Sequence, residues 1–449
     1  MAEPARTGGG RARRPPELLE LEIAELGQDG RGVGRRADGK SVLVAGALAG
    51  ERVRARIERR HRTYDEAVVE EVLRAAPDRV APRCPWFGTC GGCSLQHLAP
   101  GAQVRAKQGW LLDCLARISR TEPARLLDPI TGPAWGYRRR ARLAVRDVPR
   151  KGRVLVGFRE RGGRHVTDML ACEVLDPRFA RLPERLSELI GALSVRRRLP
   201  QVELAAGDDE TALVFRHLDP LEEADRGRLR AFGEAHGMQI HLQPGGPDSV
   251  SPLWPSEPPP LRYALPEFEV TLAFGPLDFT QVNAAVNRAM VARAVALLDP
   301  RPGERVLDLF CGIGNFSLPL ARRGACVEGV EGEAALVERA RANARANGLE
   351  AQARFHVADL ATPPVNAPWL EGGVDKALLD PPRSGAEAMV HRLGELGVAR
   401  IVYVSCHPAT LARDVGVLVG RYGYRLEAAG VMDMFPHTAH VESIALLER

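Results

Sequence analysis

The feature that most constrains this chain is a regular alternation of short apolar runs and helical stretches from residue 272 to its end. The runs read RVLDLF, ACVEGVE, ARFHVAD, VDKALLD, RIVYVS, YRLEAAGVMDM and ESIALLE. Strands that alternate with helices imply an α/β fold with a parallel, doubly wound sheet. Such sheets hold their ligands at the carboxyl ends of the strands. The residues immediately after each run therefore carry the functional information.

The first run, 306–309, is followed by Phe310-Cys311-Gly312-Ile313-Gly314-Asn315-Phe316-Ser317, where two glycines let the backbone approach a ligand before a helix begins. A dinucleotide fingerprint, GxGxxG, needs glycine at position 317, which is serine. The second run ends in Glu331, whose carboxylate can accept both hydroxyls of a ribose, a feature that fits NAD equally well. The third ends in Asp359, suited to an adenine edge, and the fourth in Asp380-Pro381-Pro382-Arg383. Acids after three successive strands, with no phosphate-binding Arg or Lys in the glycine loop, fit adenosine carrying a cationic tail. S-adenosylmethionine has that charge pattern. Each acid also has a plainer use as a helix N-cap.

The β-branched run 401–405 delivers Cys406 to the loop at its end, followed by His407-Pro408. Methyl transfer to an exocyclic amine needs no thiol, because the nitrogen lone pair attacks directly. Transfer to carbon 5 of a pyrimidine needs one, since that carbon becomes nucleophilic only after a thiolate adds to carbon 6. The methylated carbon then carries a proton that a base must remove. Glu442, at the start of the last run, is suited to that task in a partly dry pocket, and equally to a strand-edge surface position. His407, His437 and His440 are alternative bases. Two rivals remain at this point: an exocyclic-amine methyltransferase, for which the DPPR loop speaks, and a non-catalytic RNA-binding protein.

Upstream, residues 17–74 alternate apolar and polar over short stretches broken by glycine, which predicts a small antiparallel barrel. Arg52, Arg54 and Arg56 stand at period two, so one strand face carries all three, either tracking a nucleic-acid backbone or forming a solvated outer face. From 78 to 92 the text turns to Pro, Gly and Cys without periodicity, a segment that a metal can organise. Cys84, Cys90 and Cys93 lie within ten residues, and Cys172 is the nearest further thiol that no regular helix pattern claims. Four thiolates can hold zinc or a [4Fe–4S] cluster; three clustered ligands and one distant one favour iron–sulfur, with zinc the alternative. A helix is predicted over 101–118 with Cys114 on its apolar stripe, and an α+β pattern over 133–245.

Lys+Arg number 62 against 57 Asp+Glu, a net +5, so a polyanion must be met by local basic patches. Arg138, Arg139, Arg140 and Arg142 form one such patch. No apolar stretch approaches bilayer length, which excludes membrane insertion. The first residues are basic without an apolar core, a tail rather than a signal peptide, so the chain is expected in the cytoplasm with reduced thiols.

Together the motifs GQDGRGVGR, CPWFGTCGGCSLQH, WGYRRRARL, DFTQVNAAVN, VLDLFCGIGNFSLPLA, LLDPPRSG, VSCHPATLARD and DMFPHTAHVES resemble the bacterial RNA uracil-5-methyltransferases. Within them the chain is most similar to the iron–sulfur branch that acts on 23S ribosomal RNA and begins with a TRAM domain. The resemblance implies four segments: a disordered basic tail, 1–15; an OB-like RNA-binding TRAM barrel, 16–76; a central α+β domain with a [4Fe–4S] cluster, 77–271, whose helix near 101–120 packs on the catalytic domain; and a Rossmann-like class I methyltransferase domain, 272–449. It implies Cys406 as nucleophile, Glu442 as base, and Cys84, Cys90, Cys93 and Cys172 as cluster ligands. It implies S-adenosylmethionine contacts from Gln281, Phe310, Asn315, Glu331, Asp359 and Asp380. Phe279, two residues before Gln281 and on the same face if the segment is extended, is placed to stack on the target base, and Arg138, Arg139, Arg140 and Arg142 are expected to grip RNA phosphates. The implied partner is 23S ribosomal RNA, free or in a large-subunit precursor, bound by a monomer. Two departures are visible: His407 stands where the family has asparagine, and Asp359 where an amide also occurs.

Overall fold

The computed structural model describes residues 17–364 and 366–449, so the tail expected over 1–15 lies outside the described residues. Among these the chain forms two compact units, one of residues 17–81 with 97–99 and one of residues 82–96 with 100–449.

The first unit is a closed barrel whose wall runs Leu18–Leu26, Gly32–Arg35, Ser41–Ala45, Tyr64–Arg74, Arg52–Arg60. A ring of five strands cannot be antiparallel throughout, because an odd number of alternations does not close. The odd pair is Ser41–Ala45 with Tyr64–Arg74, which run parallel. Alternate residues point inward as the period-two pattern requires, and Leu21, Ile23, Val42, Val44, Val53 and Ala55 fill the interior. On the outer face Arg52 pairs with Glu20, Arg54 with Glu20 and Glu71, and Arg56 with Glu58 and Glu70. The arginine row is thus answered by glutamates on both neighbouring strands, which makes it a solvated ion-pair ladder rather than a bare phosphate track.

The second unit contains two main sheets. One orders Ser251–Trp254, Gln239–Gln243, Thr211–Arg216, Gln201–Ala206, Arg140–Val148, Arg153–Gly157. The helices Leu182–Gly191 and Glu223–His236 pack on it with Leu186, Ile190 and Leu229 buried.

The other has eight strands in the order Ala353–Val357, Cys326–Glu331, Arg305–Leu309, Lys376–Leu379, Arg400–Ser405, Glu442–Glu448, Arg425–Met432, Arg125–Leu126. Its first five strands are parallel, as the alternating pattern predicts. Glu442–Glu448 is not: it is antiparallel to both of its neighbours, Arg400–Ser405 and Arg425–Met432. The reason is the connection. Residues 433–441 are too few for a crossover, which needs about a dozen residues or more, so the chain must return as a hairpin.

The helix predicted over 101–118 runs Pro100–Cys114, ends in a π-helical turn, Leu115–Ser119, and has Cys114 buried. It docks beside the strand Arg425–Met432 and the helix Pro408–Tyr422. Lys107, fully buried, donates to Asp433 Oδ1 at 2.6 Å and to the Phe435 carbonyl at 3.0 Å. Breaking a buried pair leaves an uncompensated charge. Lys107→Met is therefore expected to lower stability by about 3–5 kcal/mol, read as a drop in the urea midpoint with unchanged slope; an unchanged midpoint contradicts this account of the docking.

Candidate active site

The antiparallel strand decides the geometry at the carboxyl edge of the large sheet. Ser405 pairs with Ser443, so the next residues across the ladder, Cys406 and Glu442, face one another at the sheet end. Had the last strand run parallel, its first residue would lie at the opposite edge. Both residues line a cavity of about 480 Å³ together with Phe279, Gln281, Phe310, Asn315, Glu331, Asp380 and Arg383. Asp359 is not in this cavity; it lines an adjoining one of about 390 Å³ with Phe310 and Glu331.

The floor is the loop after Arg305–Leu309. Phe310 has φ 64°, Gly312 φ 53° and Gly314 φ 95°, so the chain passes three times through the left-handed region within five residues. Glu331 ties this floor down: its carboxylate accepts from Gly312 N at 3.1 Å and Gly332 N at 2.7 Å. Asn315 is oriented by two neighbours. Tyr263 donates its hydroxyl to Asn315 Oδ1 at 2.9 Å, and Asn287 and Asn315 exchange amide hydrogen bonds at 3.1 and 3.0 Å. Asp359 caps the following turn, accepting from Ala361 N and the Thr362 hydroxyl at 2.9 and 2.8 Å.

Electrostatically the cavity gathers buried acids. Burial pushes Asp380 and Asp308 each up to about 7, Asp308 lying beneath the loop with the Ser317 hydroxyl on its carboxylate. Glu442 is pushed up to about 8, by burial first and then by Asp380, against the pull of Arg383 and Lys107. The half-buried Cys406 thiol is raised to about 11 by desolvation and by the same two carboxylates, with Arg383 opposing. Bringing a cation into this space favours the ionised form of every one of these groups.

The histidines divide. His407 is an N-cap, its Nδ1 accepting from Thr410 N at 3.4 Å. Burial drops His437 and His440 to about 4, so both are neutral imidazoles, and His440 Nε2 lies 3.5 Å from Glu442 Oε1. Phe279 stands at the cavity mouth with 69% of its surface exposed. Arg138 and Arg139 are elsewhere. Arg139 donates to Asp208 at 2.5 Å, while Arg138 lies over the Phe158 and Phe435 rings. Arg383, Tyr263 and Asn287 join the site without having been singled out for it from sequence. DPPR and DFTQVNAAVN contain two of them, whereas nothing local distinguishes Tyr263 from a core aromatic.

Cys84, Cys90, Cys93 and Cys172 line a second, small cavity of about 20 Å³, walled by Phe87, Trp135, Phe158 and Met169. Burial, then the charge of the neighbouring thiols, pushes Cys93 up to about 12 and Cys172 up to about 11. Four soft sulfurs in an apolar shell fit a group that takes thiolates, because a bound cation offsets the cost of ionising them together. The side chains are not drawn around one point: among the described residues no group of three or more His, Cys, Asp or Glu is placed to hold a metal ion.

The chain is similar to known proteins over nearly its whole length. The tRNA (uracil-5-)-methyltransferase family matches residues 271–361 and 372–449, and the TRAM domain matches residues 16–69. The 23S rRNA (uracil(1939)-C(5))-methyltransferase RlmD of Alkalilimnicola ehrlichii is 54% identical over 98% of this chain and 99% of its own. That of Acidithiobacillus ferrooxidans is 55% identical over 97% and 98%. Among solved structures, Pyrococcus abyssi tRNA (uracil-54, C5)-methyltransferase in complex with S-adenosyl-L-homocysteine superposes with a TM-score of 0.73 at 28% identity, covering 95% of this chain and 99% of that one. With more than half its residues shared across nearly every position, the chain belongs to the family of 23S rRNA (uracil-C(5))-methyltransferases.

Proposed function

We propose that this protein transfers a methyl group from S-adenosylmethionine to carbon 5 of a uridine in 23S ribosomal RNA, the counterpart of the uracil 1939 named for its relatives. The observation that carries the chemistry is the ladder position of Cys406 opposite Glu442 in one cavity with the glycine loop. An amine methyltransferase has no use for a thiol there.

Bound cofactor supplies an electrophilic methyl group on a cationic sulfonium. Gln281, Phe310, Asn315, Glu331 and Asp380, which line the main cavity, would hold it, Glu331 suited to the ribose hydroxyls and Asp359, in the adjoining cavity, to the adenine. The target uridine is flipped out of its stack, at a cost of a few kcal/mol, onto the exposed ring of Phe279. Arg138 and Arg139 contact RNA by giving up their present intramolecular partners. The Cys406 thiolate adds to carbon 6, and the electron pair moves into the ring as an enolate. Carbon 5 then takes the methyl group, and the broken carbon–sulfur bond leaves its electron pair on the former sulfonium sulfur, now a neutral thioether. Glu442 removes the proton from carbon 5, the 5,6 double bond re-forms, and the sulfur leaves as thiolate. Arg383, the cation lining this cavity, favours the thiolate.

Cys84, Cys90, Cys93 and Cys172 would hold a [4Fe–4S] cluster, or zinc as the alternative, which would supply a cross-link between the thiolates. Methyl transfer from a sulfonium consumes no electrons, so the reaction asks no redox step of it. The protein acts as a monomer in the cytoplasm, on free 23S RNA or on a large-subunit precursor. No helix among the described residues is long and apolar enough to cross a membrane.

Glu442→Gln is expected to stop the final elimination and leave a methylated protein–RNA adduct on a denaturing gel, whereas Cys406→Ala forms no adduct and no product. Product release by the Glu442→Gln protein at the normal rate puts the base elsewhere. Because Glu442 works as the carboxylate, its step should slow as pH falls below about 8, approaching tenfold per unit. Rapid-quench release kinetics between pH 6 and 9 measure this, and a flat profile excludes Glu442 as the group titrating in that step.

A further inference from the structure

Residues 433–441 join the last two strands and deliver Glu442 to the cavity. A connection this short with no ladder of its own takes its shape from whatever holds it, and the holding groups come from the thiol-rich segment and the helix behind it. Ser94 N and Leu95 N both donate to the His437 carbonyl, at 2.8 and 2.9 Å. Ala439 N donates to the Ser94 hydroxyl at 2.9 Å. His437 N donates to Gln103 Oε1 at 2.8 Å, and Gln103 Nε2 donates back to the Leu95 carbonyl at 3.0 Å. Lys107 fixes Asp433 and Phe435 at the start of the loop, and the Tyr137 hydroxyl donates to the Pro436 carbonyl at 3.2 Å.

His437 itself has φ 65°, a conformation that a residue with a side chain keeps only where its surroundings over-determine it. Here they do. The Trp135 ring, which also walls the cysteine cavity, lies 4.1 Å from the His437 ring. Four of the five loop residues 435–439 are thus engaged by Ser94, Leu95, Gln103, Lys107, Trp135 and Tyr137, and the fifth, Thr438, bonds back to the Phe435 carbonyl within the loop.

We propose that Ser94, directly after Cys93, and Gln103 are positioning residues for Glu442, and that the contribution of the thiol-rich segment to the reaction is to fix where the base stands. Whatever holds Cys93 holds Ser94. Ser94 grips the His437 carbonyl and the Ala439 amide, and Ala439 stands three residues before Glu442. The inference rests on the reading of Glu442 as the base. Its signature is selective: loosening the strap spares cofactor binding and adduct formation, which do not use Glu442, and slows proton removal. A displacement near 1 Å at a reacting group costs about a hundredfold.

The test uses the full-length holoprotein as wild type, Ser94→Ala, Ser94→Thr, Gln103→Asn and Glu442→Gln. The measurements are S-adenosylmethionine affinity by calorimetry, thermal midpoint, and the steady-state fraction of methylated adduct with uridine-containing 23S RNA. Ser94→Ala and Gln103→Asn should keep the affinity and midpoint, accumulate adduct as Glu442→Gln does, and release product about ten- to hundredfold more slowly. Ser94→Thr, which keeps the hydroxyl, should restore release. If Glu442→Gln accumulates adduct and neither strap variant does, the inference fails and the base stands. If Glu442→Gln accumulates none, the base reading fails and takes the strap with it. Loss of cofactor affinity or of the thermal midpoint in both strap variants makes the segment generally structural and also overturns the proposal.

Discussion

The pairing of Ser405 with Ser443 is the constraint on which the rest of the site depends. One strand reversed among its parallel neighbours puts the first residue of the last strand at the same sheet edge as the residue following the fifth. Cysteine and carboxylate then share a wall by ladder geometry rather than by loop flexibility. The same reversal creates the hairpin loop at 433–441, which a segment some 340 residues earlier in the chain must hold. A fold that brings two groups together through paired strands sets their register, while the end of the strand, where Glu442 follows the loop, is left to be steadied by other means.

Around that pair the protein builds a place that is costly without its ligands. Asp308, Asp380 and Glu442 are all raised into the neutral range by burial, and the Cys406 thiol is raised with them. A bound sulfonium relieves the three acids and favours the thiolate together. A cation bound there and Arg383 act in the same direction on the Cys406 thiol, both favouring its ionised form.

Much of this was legible in the sequence. Apolar runs alternating with helices specify strands and their covering layers, and the residues at their ends (Phe310, Asn315, Glu331, Asp380 and Cys406) do meet in one cavity. Strand direction was not legible, because an apolar run reads the same whichever way the strand points; only the length of the 433–441 connection carries that information. The reading of Glu442 at the start of a parallel strand was accordingly inconsistent with its meeting Cys406, and the reversal removes the conflict. Asp359 kept the capping use that any Asp after a strand has. The arginines at 52, 54 and 56 were read correctly as one face, but the glutamates that answer them stand on neighbouring strands, which periodicity along a single strand cannot reveal. Tyr263, Gln103 and Lys107 were missed for the same reason: each acts on a residue more than 50 positions away.

The central claim is that a sulfur–carbon bond forms transiently between Cys406 and the pyrimidine ring. It is tested most directly by incubating the protein with S-adenosylmethionine and 23S RNA carrying 5-fluorouridine, then digesting and weighing the peptide that contains Cys406. Fluorine cannot leave as a proton does, so the account predicts that peptide carrying a methylated fluoropyrimidine nucleotide. Recovery of the peptide unmodified, while the same preparation methylates ordinary uridine at carbon 5, would contradict it.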